Sequence, residues 1–194
     1  MPERLNSMKK YGGRYLIAAL FLCLFTGCGS AEKESNEDLY GEIIAGLRDE
    51  EQYSLQDIGE KNDALFTTDM TYDDGNGHNV ALSCKVYYSV DGEFYTLERI
   101  ESLGTAWPVS YGEQCIYTAS EHGVTAHAFD GKELRWKVTQ YEEVFDTEGN
   151  TSCERTDVEG NKETVSEEDY LEVWEDYKES TVINFGYGAS DNPF

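Results

Sequence analysis

The sequence predicts an α+β fold: an antiparallel meander of about six to eight strands, one face covered by an N-terminal and a C-terminal helix. Three observations lead there. Residues 80–90 alternate without a break, with Val80, Leu82, Cys84, Val86, Tyr88 and Val90 on one side and Ala81, Ser83, Lys85, Tyr87 and Ser89 on the other. Such period-two patterning reads as a strand in a sheet with one covered face. Turn signals then recur at Asp91-Gly92, Glu121-His122-Gly123 and Asp130-Gly131, at the spacing of a meander. Helical stripes stand near the two ends, at Leu39, Tyr40, Ile43, Ile44 and Leu47 and at Tyr170, Val173, Trp174 and Tyr177.

The chain opens with a basic stretch, Met8-Lys9-Lys10, and an apolar run over residues 15–25. That run is about half of the ~20 residues a membrane-spanning helix needs. A basic head, a short apolar middle and a small-residue exit are the parts of an export signal, and Met8 is a second candidate start. The ending Phe25-Thr26-Gly27-Cys28 resembles the lipobox of bacterial lipoproteins, with Phe25 where that family favours Leu. The resemblance implies that residues 1–27 are a signal peptide. It also implies that Cys28 is acylated, with palmitate or a similar chain, and anchors the protein to the outer face of the bacterial cell membrane. Residues 28–36 are polar and read as the lipid attachment point and tether, 37–185 as the domain, and 186–194 as a flexible tail.

Within the domain, Ser35 or Asn36 can cap the first helix. Residues 52–58 and 64–72 read as strands, the second ending at Asp73-Asp74-Gly75-Asn76-Gly77, a strong turn signal. Residues 80–90 and 93–103 form a hairpin, and residues 104–113 a loop around Trp107-Pro108. Residues 115–120, 124–129 and 134–145 continue the meander, with Leu134, Trp136 and Val138 inward. Residues 146–167 are acidic and read either as a polar hairpin or as a mobile loop. Ser166 with Asp169 three residues on marks the start of the last helix, and residues 181–185 make a final short strand. The 64–72 strand, its Asp-Gly-Asn turn and the closing Thr181-Val182-Ile183-Asn184-Phe185 are similar to uncharacterised exported proteins of Gram-positive gut bacteria, which carry no known activity.

Charge and composition exclude some functions. The 194 residues hold 39 Asp and Glu against 15 Lys and Arg, a net charge of −24. Arg4, Lys9, Lys10 and Arg14 lie in the leader, so the domain is more acidic still. Such a field repels nucleic acid and anionic headgroups, favours solubility, and suits cations or cationic partners. Fourteen Tyr and three Trp argue for a packed core rather than a disordered acidic chain.

The chemistry-bearing residues are sparse. Asp69, Asp73, Asp74 and Asn76 group oxygen donors of the kind calcium prefers, although no register satisfies the EF-hand pattern, and an Asx-rich turn explains them equally. His122 and His127 are five apart, which on a strand places them on opposite faces, so no metal site is assigned to them. Cys84 and Cys115 sit in predicted neighbouring strands and are the preferred disulfide, with three unbridged thiols including Cys153 as the alternative. Tyr87, Tyr95, Trp107 and Tyr111 could form a platform for stacking on a glycan or peptide, or could simply pack. There is no Gly-x-Ser-x-Gly, no phosphate loop and no catalytic residue to name. The expected function is therefore a cell-envelope lipoprotein with a non-catalytic binding or interaction domain, its partner an envelope protein, peptide or glycan. The alternative is a small envelope hydrolase or metal-dependent enzyme.

Overall fold

The computed structural model of the chain describes residues 35–188 and 191, apart from 60 and 113. The leader, Cys28 and most of the tether lie outside the described residues. In chain order the elements are α1 (Asn36–Ala45), β1 (Gln52–Gln56), β2 (Ala64–Thr68), β3 (Tyr72–Asp73), β4 (Asn79–Val80), β5 (Ser83–Val90), β6 (Glu93–Glu101) and β7 (Ser110–Gly112). They continue with β8 (Cys115–Ser120), β9 (Gly123–Asp130), β10 (Arg135–Phe145), β11 (Thr151–Thr156), β12 (Lys162–Val165), α2 (Glu167–Glu179), β13 (Thr181–Val182) and β14 (Tyr187–Gly188).

The strands build two large antiparallel sheets and a small hairpin, not the single meander expected from turn spacing. One sheet has the order β14-β1-β2-β5-β6, the other β12-β11-β10-β9-β8-β7-β13, and β3 pairs with β4. The main core joins the two sheets: Phe66, Val86 and Tyr88 of the first pack with Ile116, Phe129 and Trp136 of the second. Tyr88, Phe129 and Trp136 meet edge to face, Tyr88 and Phe129 with centroids 4.8 Å apart. The Trp136 indole donates to the Tyr95 carbonyl at 3.1 Å, which satisfies a main-chain acceptor on the edge strand β6.

The two helices do not share a face of one sheet, which corrects the predicted arrangement. Tyr40 and Ile44 of α1 cluster with Tyr53 and Leu65 of the five-stranded sheet. Val173 of α2 clusters with Tyr117, Ala119 and Val124 of the seven-stranded sheet. The reason lies in the central strands, which are buried on both faces. All five residues of β2 are buried, Phe66 toward the inter-sheet core and Leu65 toward the α1 cluster. In β8, Ile116 and Tyr117 divide in the same way. A strand covered on both faces loses the alternation that reports a one-sided sheet.

Two predicted strands are broken by side-chain and main-chain competition. The 64–72 strand stops at Thr68, whose hydroxyl donates to the Ser83 carbonyl (2.8 Å) and accepts from the Met70 amide (3.3 Å). The 80–90 strand is interrupted at Ala81 and Leu82, whose carbonyls accept from Val109 and Ser102 respectively. Leu134, predicted inward, is 42% exposed at a positive φ of 51°.

Residues 146–167 resolve as an ordered hairpin. Its two turns repeat one pattern, Asp146-Thr-Glu-Gly-Asn150 and Asp157-Val-Glu-Gly-Asn161. In each, the aspartate accepts from the asparagine main-chain amide (2.8 Å in both) and from its side-chain amide, at 2.7 Å and 2.8 Å. The last helix begins as expected: Ser166 and Asp169 form a reciprocal capping box. At the other end α1 begins at Asn36 with Ser35 as its cap, so these two residues belong to the helix and its cap. The tail is also not free from residue 186. Tyr187 and Gly188 pair with Tyr53 and Gln52 as β14, and the Tyr53 and Tyr187 rings stack at 5.5 Å.

Candidate functional site

A groove of about 610 Å3 lies between the β3–β4 hairpin, the loop 104–109 and the C-terminal end of α2 with β13. Tyr72, Pro108, Tyr177 and Val182 give it apolar walls, and Asp73, Asp74 and Asn76 lie on its rim. Each wall is fixed by hydrogen bonds. The hairpin is tied to the body through Asn79, whose amide donates to Asn184 Oδ1 (3.0 Å) and whose carbonyl accepts from Phe185 (2.7 Å). The Tyr72 hydroxyl donates to the Thr105 carbonyl (2.9 Å) and the Tyr177 hydroxyl to the Pro108 carbonyl (3.1 Å), so two aromatic rings hold one loop. The loop itself turns at Gly104, φ 110°, where the Trp107 ring passes so close that a Cβ would lie 3.0 Å from it.

The charge states follow from these contacts. The Asn76 main-chain amide, followed by the amide of His78, holds the Asp74 carboxyl down to about 2. Burial raises the Tyr72 phenol, with the Asp74 charge adding to it. Burial also raises Tyr177, with Tyr72 the smaller cause. At neutral pH the walls are therefore neutral aromatics and the rim is anionic. Lys178 contributes a cation to the lining, and its ammonium is 2.6 Å from Glu175 Oε1.

The groove combines aromatic walls with carboxylates on its rim. Among the described residues its lining contains no His and no Cys. Its serines are tied up: Ser180 Oγ lies 2.6 Å from Ser110 Oγ and 2.5 Å from the Tyr177 carbonyl. The Asp74 carboxyl, held down to about 2, is a weak proton acceptor.

The sequence-predicted residues are partly brought together. Asp73, Asp74 and Asn76 share the rim, but Asp69 does not join them; it faces Arg48 at 4.0 Å. The turn also uses its own oxygens, Asp73 Oδ1 accepting from Gly75 (2.7 Å) and Asp74 Oδ1 from Asn76 (2.7 Å). The four residues thus form no common oxygen cage, which corrects the calcium-site expectation at Asp69. Among the described residues no group of three or more His, Cys, Asp or Glu is placed to hold a metal.

The proposed stacking platform is dispersed. Tyr87 lies against the α1 cluster, under the Lys85 ammonium at 4.8 Å. Tyr95 and Tyr111 pack on the inter-sheet core, and Trp107 on the α2 cluster. The preferred disulfide is also absent: among the described residues no bridge joins Cys84 and Cys115. Cys84 is in the inter-sheet core, whereas Cys115 packs on the α2 side of β8. Burial pushes the Cys84 thiol well above its ordinary range. His122 is exposed beside Glu143 Oε2 (3.3 Å), and His127 is buried with Nε2 3.4 Å from Thr118 Oγ1.

Sequence reasoning missed the groove aromatics Tyr72 and Tyr177. Each carried the signal of a packing residue, Tyr72 as a strand end and Tyr177 as part of a helical stripe. These observations define a two-sheet antiparallel domain with an aromatic, anionic groove. Compared with protein-family models, curated proteins and solved structures, the chain matches none of them.

Proposed function

We propose that this is an exported envelope lipoprotein, anchored through Cys28, whose domain is a non-catalytic binding module for a cationic segment of an envelope protein or peptide. The observation that carries the binding reading is the groove: aromatic walls fixed by hydrogen bonds, and a rim where main-chain amides hold the Asp74 carboxyl well below the usual carboxylate range. Charge complementarity supports a cationic partner, since the chain carries −24 overall. Neutral glycans suit the aromatic walls but make no use of the Asp73 and Asp74 charges.

Two measurements test the reading separately. Cells fed an alkynyl palmitate should label the wild-type chain and not the Cys28→Ala variant, which should appear in the medium. Equal labelling, or an unlabelled chain in the cytosol, would overturn the anchor. Affinity capture from membranes with wild type should recover a basic partner, in salt-sensitive fashion, and a Val182→Asp, Lys178→Glu pair of groove variants should alter that recovery. Turnover of an ester, peptide or glycoside that depends on groove residues would overturn the non-catalytic reading.

A further inference from the structure

We infer that the groove rim carries a site of spontaneous covalent modification, the Asn76-Gly77 peptide, where the asparagine deamidates through a cyclic imide. Asn76 and Gly77 are both exposed, and a Cβ at Gly77 would meet nothing within 4 Å, so the space for ring closure is open. Three amides of this turn are held by carboxylate oxygens: Gly75 by Asp73, and Asn76 and His78 by Asp74. Among the described residues the Gly77 amide has no such acceptor. That free nitrogen is the nucleophile the reaction needs, and glycine leaves it unshielded.

The step balances without any oxidant or cofactor. Gly77 N bonds to Asn76 Cγ, the Cγ–Nδ2 bond breaks, and ammonia leaves carrying the amide proton of Gly77. Water then opens the five-membered imide at either carbonyl, giving aspartate or isoaspartate. The net change is loss of ammonia and gain of water.

The fold supplies two internal controls. Asn150 and Asn161 also sit in aspartate-anchored turns, but their side-chain amides are clamped at 2.7 Å and 2.8 Å, against 3.3 Å for Asn76. The residues that follow them, Thr151 and Lys162, carry bulky side chains and belong to ladders opposite Phe145 and Thr156. Reaction at Asn76 adds a carboxylate beside Asp73 and Asp74 on the groove rim. Its isoaspartate product lengthens the backbone by one carbon within the turn that joins the paired residues Tyr72–Asp73 and Asn79–Val80. The inference does not depend on what the groove binds.

The test is ageing of the purified full chain in warm, mildly alkaline buffer, followed by peptide mapping that separates aspartate from isoaspartate. Asn76 should convert about tenfold or more faster than Asn150 and Asn161, the ratio of a barrier lower by about 1.4 kcal/mol. Isoaspartate should be among the products, and Asn76→Gln should remove the new species while leaving the slow background at the other two sites. The inference is overturned if Asn76 stays intact in the folded chain while it converts in urea, because the turn would then prevent ring closure. It is equally overturned if Asn150 or Asn161 converts as fast as Asn76.

Discussion

Adjacent residues of β2 should both be intolerant of truncation, and for different reasons. Leu65 and Phe66 are each fully buried, but Phe66 belongs to the core between the sheets and Leu65 to the cluster with Tyr40, Ile44 and Tyr53. In a sheet covered on one face only one of two neighbours is buried, and the other tolerates alanine within about 0.5 kcal/mol. Here Phe66→Ala should destabilise by about 3–5 kcal/mol and Leu65→Ala by about 2–5 kcal/mol, the range for deleting buried side chains of these sizes. Urea unfolding of a soluble form beginning at Lys33, followed by tryptophan fluorescence, reads both. With a slope of about 2 kcal/mol per molar, the midpoint should fall by roughly 1.5–2.5 M for Phe66→Ala and roughly 1–2.5 M for Leu65→Ala. A near-neutral Leu65→Ala beside a damaging Phe66→Ala would refute two-sided burial and with it the placement of α1 residues on that face. An unchanged midpoint for Phe66→Ala would refute the inter-sheet core itself.

Burial lowers His127 from 6.5 to about 4, so the folded protein keeps it neutral while the unfolded chain binds a proton below pH 6.5. Stability should therefore be independent of this residue above pH 6.5 and fall by up to about 1.4 kcal/mol per pH unit between 6.5 and 4. His127→Leu should flatten that interval in pH-dependent urea titrations, and an unchanged slope would count against the buried neutral imidazole. Asp74 acts in a separate, lower window: its stabilisation is present above pH 3.8 and lost as pH falls toward 2. Removing the capping hydroxyl with Ser166→Ala should destabilise by about 1 kcal/mol, measured by the same unfolding assay, because the Asp169 amide loses its acceptor. Gly123→Ala should destabilise by about 1–3 kcal/mol, since its Cβ would lie 2.7 Å from the Tyr141 carbonyl across the β9–β10 ladder, and a neutral result would mean that ladder yields there.

Local chemistry was legible where it was local. The Ser166-Asp169 capping box, the strand of residues 115–120 and the turn at Asp73-Asp74-Gly75-Asn76-Gly77 could be read because each depends on neighbours within a few residues. The rim of the groove was legible for the same reason. Its walls were not, because Tyr72 and Tyr177 lie far apart in the chain and come to one groove, each bonded to a carbonyl of the 104–109 loop, only in the folded protein. The Cys84–Cys115 pairing failed similarly: neighbouring predicted strands do not say which face of which sheet each thiol occupies.

The amino-acid sequence by itself determined an acidic domain built from antiparallel hairpins with a helix near each end, since turn chemistry, capping and apolar periodicity act over short stretches of chain. Only the tertiary structure decided that the strands divide into two sheets, that the helices contribute to separate clusters, and that the C-terminal Tyr187 returns to pair with β1. The physical reason is that a strand such as β2 or β8, apolar on both faces, gives no sign of which neighbour covers which face. That choice is made by the packing of side chains far apart in the sequence.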